Sequence, residues 1–323
     1  MAKLSDEDLF TLPLTFMGVP YGRPGAGTRA AILGLPFDCG THPTRVGARG
    51  GPDAVRLQSP LIRRFNPTHA DFDPVTALGV VDCGNVKLTP GRILDAFERI
   101  EQAASRVVEA GAVPVTIGGD GSITVPVMRA VARRHKNLVA LHIDSHTDAY
   151  PYDASDKYNA ATQFTHVAEE GLLDTASSWH VGIRGTTFAQ GILPRTTGLG
   201  YRVMSLDELV RGGFGQRMAE FRDQAAGRPV YICFDMDVFD PSCAPGVCSP
   251  SWGGLSAREG IDLIRTLTDL NIVAVDVATV SPPQDVNNMA AHLCAHVIYE
   301  MLVLLCRQHG LVPLGYLGSP SAA

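Results

Sequence analysis

An α/β sandwich, in which helices cover both faces of a mostly parallel sheet of about eight strands, is the fold this sequence predicts. Two observations predict it. Short apolar runs rich in β-branched residues recur through the chain, and several are apolar at every position, where alternation would appear if one sheet face met water. Between them lie segments with the three- and four-residue spacing of helices, so that strand and helix alternate along the chain.

In order, the strand-like runs are 31–35, 78–81, 113–117, 138–143, 179–183, 201–204, 229–234 and 272–276. Among the helical segments, 93–111 sets Ile93, Phe97, Ile100, Ala104 and Val107 on one stripe and closes on Gly111, a fitting stop for a helix docked on a sheet. Segments 256–269 and 287–308 read similarly. The stripe of Met289, Leu293, Val297, Met301 and Leu305 is assigned to the chain's own core rather than to a subunit interface. No linker, repeat or low-complexity tract interrupts the alternation. A nonhelical N-terminal arm over 1–30, one domain over 31–310 and a C-terminal tail over 311–323 are therefore expected.

Composition narrows the partners. The 323 residues are 45% hydrophobic and 19% charged, enough for one large α/β core. With 27 Lys+Arg against 33 Asp+Glu, the formal net charge of −6 provides no basic field for a phosphate backbone, so nucleic acid is not an expected partner. No apolar run approaches the roughly 18 residues of a membrane span, and the opening Met1-Ala-Lys-Leu-Ser-Asp-Glu-Asp lacks the basic and apolar regions of a signal peptide. A cytoplasmic protein with no membrane partner is expected. The 7 cysteines are scattered without CxxC spacing and read as reduced thiols, with Cys243 and Cys248 as ordinary loop residues.

In parallel α/β sheets ligands sit beyond the carboxyl ends of the strands. After the run ending at Ile143 comes Asp144-Ser-His-Thr-Asp148, whose spacing of two would put Asp144, His146 and Asp148 on one side of an extended chain. After Phe234 comes Asp235-Met-Asp237, then Asp240-Pro-Ser-Cys-Ala-Pro-Gly246. Either cluster alone could serve turns and helix caps. Together, four carboxylates at neighbouring strand ends would repel one another and carry raised pKa values unless a cation neutralised them, so a bound divalent metal is the economical reading.

The patterns Asp-x-His-x-Asp and Phe-Asp-x-Asp-x-x-Asp-Pro-x-x-Ala-Pro-Gly resemble the signatures of the ureohydrolase family, which includes arginase, agmatinase and guanidinobutyrase. The likeness extends to Leu35-Pro-Phe-Asp38, Gly47-Ala-Arg-Gly-Gly-Pro52 with Arg56, Asp82-Cys-Gly-Asn85, Gly118-Gly-Asp120, Gly182-Ile-Arg184 and Ser281-Pro-Pro283. It implies an arginase-like three-layer sandwich, assembly as trimers or hexamers, and a binuclear site of manganese or nickel whose bridging hydroxide attacks a guanidinium carbon. By the same resemblance Asp144 and Asp235 would bridge both metals, Asp148 would serve the first, and His146 and Asp237 the second.

Three positions depart from the family pattern. Where members read Gly-Gly-Asp-His-Ser, with the His a ligand of the first metal, this chain has Gly121. Where agmatinase-like members read His-Gly-Thr-x-Phe, with a proton-relaying His, it has Ala160, and loss of such a group typically costs about 10²–10⁴ in rate. Where the family supplies a Glu for the guanidinium, it has Thr279, which cannot make the charge-assisted bonds of a carboxylate. Substitutes nearby are read as structural: His142 as a packed strand residue, His166 as part of a helix start, and Glu169-Glu170 as a solvated helix face.

The second metal's set, Asp144, His146, Asp235 and Asp237, is complete, so at most one tightly held cation, Ni²⁺ or Mn²⁺, is expected, and restoring histidine at Gly121 should raise metal occupancy where the geometry is otherwise intact. The chain resembles the divergent partner subunit of the metformin hydrolase group, in which nickel-dependent active subunits pair with a partner lacking catalytic residues. An accessory subunit of a guanidine- or biguanide-hydrolysing hetero-oligomer, itself inactive and paired with an active paralogue, is the expected function. The alternatives are a self-sufficient agmatinase- or guanidinobutyrase-like hydrolase with unusual residues, and a metal-binding regulatory or sensing protein.

Overall fold

The computed structural model describes residues 13–39 and 44–312. Among them one sheet is built from β1 (Ala30–Leu35), β2 (Val81–Asn85), β3 (Val113–Gly118), β4 (Val139–Ile143), β5 (Trp179–Ile183), β6 (Arg202–Ser205), β7 (Pro229–Asp235) and β8 (Asn271–Ala278). Their order is β2-β1-β3-β8-β7-β4-β5-β6 and every pairing is parallel. Successive strand side chains point to opposite faces, so each strand feeds two apolar layers. Ile32, Val115, Ile232 and Phe234 pack on one side with the helices Ala257–Arg265 and Met289–Gln308. Leu33, Tyr231 and Cys233 pack on the other with Ile93–Glu109 and Thr124–Arg134. Both faces are covered, as the unalternating apolar runs require.

Three expectations need correction. The second strand begins where the apolar run 78–81 ends, because its interior carries Asp82, which a sequence pattern reads as polar. Asp82 is fully buried under a fork of bonds from Arg56, Nε to Oδ2 at 2.8 Å and Nη2 to Oδ1 at 2.9 Å. The arm expected to be nonhelical contains a short 3₁₀ turn, Phe16–Gly18, which buries Phe16, whose amide donates to Asp82 Oδ2 at 2.8 Å. Expectations for 1–12 and 313–323 lie outside the described residues. Third, Met289–Gln308 is by length and composition apolar enough to cross a membrane, although no uninterrupted run suggested it. In the fold 78% of its apolar window is buried against the sheet layer.

That helix carries one buried charge. Glu300 is 1% exposed and meets Arg265 Nη2 at 2.7 Å, His69 Nε2 at 3.3 Å and His296 Nε2 at 3.3 Å. Burial alone would raise its carboxyl, but the bonds from His296, His69 and Arg265 outweigh it and hold the group well below the usual glutamate range. A depressed folded-state value stabilises the fold above the unfolded-state value, and that contribution is lost as pH falls through the folded one. Glu300→Gln is expected to cost about 3 kcal/mol at pH 7 and to flatten the loss of stability on acidification below the ordinary glutamate range. Urea midpoints of both proteins across that range check it, and equal midpoints at pH 7 would refute the coupling.

Candidate metal centre

Four adjacent strands of the sheet, β3, β8, β7 and β4, end on one edge and deliver the polar residues there. β3 runs into Asp120 and Gly121, β8 into Thr279, β7 ends on Asp235 before Asp237, and β4 runs into Asp144-Ser-His-Thr-Asp148. The convergence of Asp144, His146 and Asp148 does not come from an extended chain, as the spacing suggested. β4 ends at Ile143, Asp144 Oδ1 accepts the His146 amide at 2.6 Å, and Asp148 takes a left-handed φ of 48°, which aspartate tolerates. Asp235 likewise accepts the Asp237 amide at 2.8 Å. These carboxylates both form turns and face one another.

His146 Nδ1 lies 3.1 Å from Asp237 Oδ2 and 3.5 Å from Asp144 Oδ1. The ligand atoms of Asp144, His146 and Asp237 all fall within 4.8 Å of one another, and those of His142, Asp144 and Asp148 form a second such group. Asp144 Oδ2 is buried and takes no hydrogen bond, although His142 Nε2 stands 2.8 Å away. Burial, then the neighbouring carboxylates, pushes Asp148 and Asp235 well above the usual range, and Asp237 is raised by burial and by Asp144. Asp144 resists its burial and is held low by His142 and His146. His146 likewise overcomes burial, raised chiefly by Asp237. Buried carboxylates that raise one another, gathered with His146, fit a divalent cation between oxygen and imidazole donors. When bound, such an ion neutralises the carboxylates and lowers the pKa of water.

Residues 28–304 match the model that describes the arginase family. The chain belongs to the arginase family. It is 36% identical over 291 residues to the mitochondrial agmatinase of Gallus gallus, covering 90% of this chain and 85% of that one. With the guanidinobutyrase of Pseudomonas aeruginosa it shares 34% over 294 residues, 90% and 92% of the two chains. The solved proclavaminate amidino hydrolase of Streptomyces clavuligerus superposes with a TM-score of 0.86 at 35% identity, over 93% of this chain and 99% of that structure.

In this arginase-family chain Gly121, Ala160 and Thr279 line a single cavity of about 450 Å³, together with His146, Asp148, Asp235 and Asp237. The Thr279 hydroxyl donates to Asp235 Oδ1 at 2.8 Å. At Gly121 the space for a side chain is taken. An added Cβ would stand 2.7 Å from Gln163 Nε2, 2.9 Å from its Cδ and closer still to Oε1. A histidine restored at 121 therefore requires the Gln163 amide to move, so the condition on which restoration raises metal occupancy, an otherwise intact geometry, turns on that side chain.

The nearby substitutes are committed elsewhere or set back. His142 is fully buried, shares 2.8 Å between its Nδ1 and that of His180, and does not line the cavity. It nevertheless lies within ligand distance of Asp144 and Asp148, closer to the site than a merely packed residue. His166 Nε2 is 2.5 Å from the Lys157 carbonyl, inside the helix Gln163–Glu169. Glu169 accepts from Tyr152 and Glu170 pairs with Arg129. Gln163 is the residue the sequence pattern did not single out. Its one signal was an amide at the open position of Ala160-Ala-Thr-Gln-Phe164.

Proposed function

We propose that this chain is the accessory subunit of a heteromeric ureohydrolase. Its domain over 31–310 assembles with an active paralogue, in a trimer- or hexamer-type arrangement in the cytoplasm, and the complex hydrolyses a small guanidine or biguanide of the metformin type. One observation carries this reading: Gly121, Ala160 and Thr279 line the same cavity, and none supplies the group its position calls for in the family pattern. No cavity-lining side chain at these three positions can ligate with nitrogen, relay a proton or pair with a guanidinium. Asp144, His146, Asp235 and Asp237 would hold one tightly bound Ni²⁺ or Mn²⁺, with Asp148 beside them.

A second reading, a self-sufficient guanidino hydrolase, is favoured by the retained acidic cluster and by relatives named as agmatinase and guanidinobutyrase. The chain expressed alone, and with an active ureohydrolase paralogue from its own organism, separates the two. Urea and amine release from guanidine, guanidinobutyrate, agmatine and metformin is expected only from the joint preparation. Turnover by the isolated chain would overturn the accessory role and select the second reading.

A further inference from the structure

We propose that Gln163 replaces the histidine missing at position 121 as a ligand of the first metal position, through its carboxamide oxygen. The proposal rests on reading this site as a metal centre and adds a ligand that the family pattern does not contain. Gln163 is 1% exposed, on the helix Gln163–Glu169. Its Oε1 lies near the point where a Cβ at 121 would sit, at a separation comparable with that between Cβ and Nδ1 inside a histidine. The carbonyl oxygen thus stands about as far from that point as the absent imidazole nitrogen would.

The amide orientation follows from its other end. Nε2 donates to Asp148 Oδ2 at 2.9 Å, whereas the reverse orientation would press a carbonyl against a carboxylate. Asp148 is itself assigned to the first position, so one residue would be both neighbour and co-ligand. Oε1 is then a buried acceptor with no partner. A cation among Asp144, Asp148 and Asp235 would satisfy it. The two changes depend on each other, because any side chain at 121 would exclude the amide. His142, within ligand distance of Asp144 and Asp148, is the competing candidate; its Nδ1 already meets His180 Nδ1 at 2.8 Å and its Nε2 already stands 2.8 Å from Asp144 Oδ2, whereas Gln163 Oε1 has no partner.

The consequence is asymmetry. The first position becomes all-oxygen, a set that suits hard ions such as Mn²⁺ or Mg²⁺, while the second keeps the His146 nitrogen and suits Ni²⁺ as well.

The test is a titration of the metal-free full chain, with bound Mn²⁺ counted by electron paramagnetic resonance and folding followed by circular dichroism. Wild type is expected to bind Mn²⁺ in two classes, one tight and one weaker by about tenfold or more, and Ni²⁺ in one class. Gln163→Leu should remove the weaker Mn²⁺ class and spare the tight one, while Gln163→Glu, which keeps the shape and adds charge, should tighten the weaker class about tenfold. Gly121→His alone should lose the weaker class, and Gly121→His with Gln163→Ala should regain two Mn²⁺ per chain. A weaker class that survives Gln163→Leu, or a single class in wild type, overturns the proposal and leaves the metal centre standing. No Mn²⁺ on any form removes the metal-centre reading with it.

Discussion

Protein stripped by a chelator is expected to gain about 2.7 kcal/mol of unfolding free energy when Mn²⁺ returns at a hundredfold excess over its dissociation constant, and Asp144→Ala is expected to erase that gain. Mass action sets the increment, because the site exists only in the folded chain. Asp144 is the residue on which it should depend, since it belongs to both ligand groups. Without an ion, three of the four carboxylates are pushed up by burial and by one another. The ion relieves this repulsion, so its effect on the melt should exceed that of any surface substitution. Thermal melts of both proteins, with and without Mn²⁺, decide the matter. A wild-type melt indifferent to Mn²⁺, or a shift that persists in Asp144→Ala, would be fatal to the ligand assignment.

A second large effect is a gain that no single substitution yields. Combining Ala160→His, Thr279→Glu and the pair Gly121→His with Gln163→Ala is expected to raise guanidinobutyrate hydrolysis by the isolated chain at least about a hundredfold above the best single variant. Groups that act as a unit are non-additive: a restored glutamate holds a substrate that nothing attacks, and a restored histidine relays no proton without a bound substrate. Thr279→Glu alone also adds charge beside Asp235, where the threonine hydroxyl now donates. Rates of the combined variant and of each component give the comparison. A single substitution that matched the combination would show that only one function had been lost.

What could be read from the sequence follows from what each residue reports. The strands carrying Val115, Ile117, Ile232 and Phe234 were legible because they are apolar toward both layers. β2 was misplaced because a buried, ion-paired Asp82 looks the same on paper as an exposed one. At the site, the identity of Asp144, His146, Asp148, Asp235 and Asp237 was visible in the motifs, but their convergence depends on side-chain-to-amide turns and on the left-handed Asp148. Gln163 offered only an amide at an open position of its motif. Its importance depends on a volume left open 42 residues earlier by Gly121, and emptiness has no letter in a sequence.

The strand order has a bearing on how such a chain changes over generations. The ends of β3, β8, β7 and β4 are spaced by backbone hydrogen bonds within the sheet, not by any ion held beyond them. Side chains past those ends that take no part in the turns, such as those at 160 and 279, can therefore be exchanged without disturbing the sheet. A duplicated gene built on this sheet can shed its chemistry one loop at a time and still present an unchanged body to its neighbours, so inheritance of shape and inheritance of reactivity are separable here.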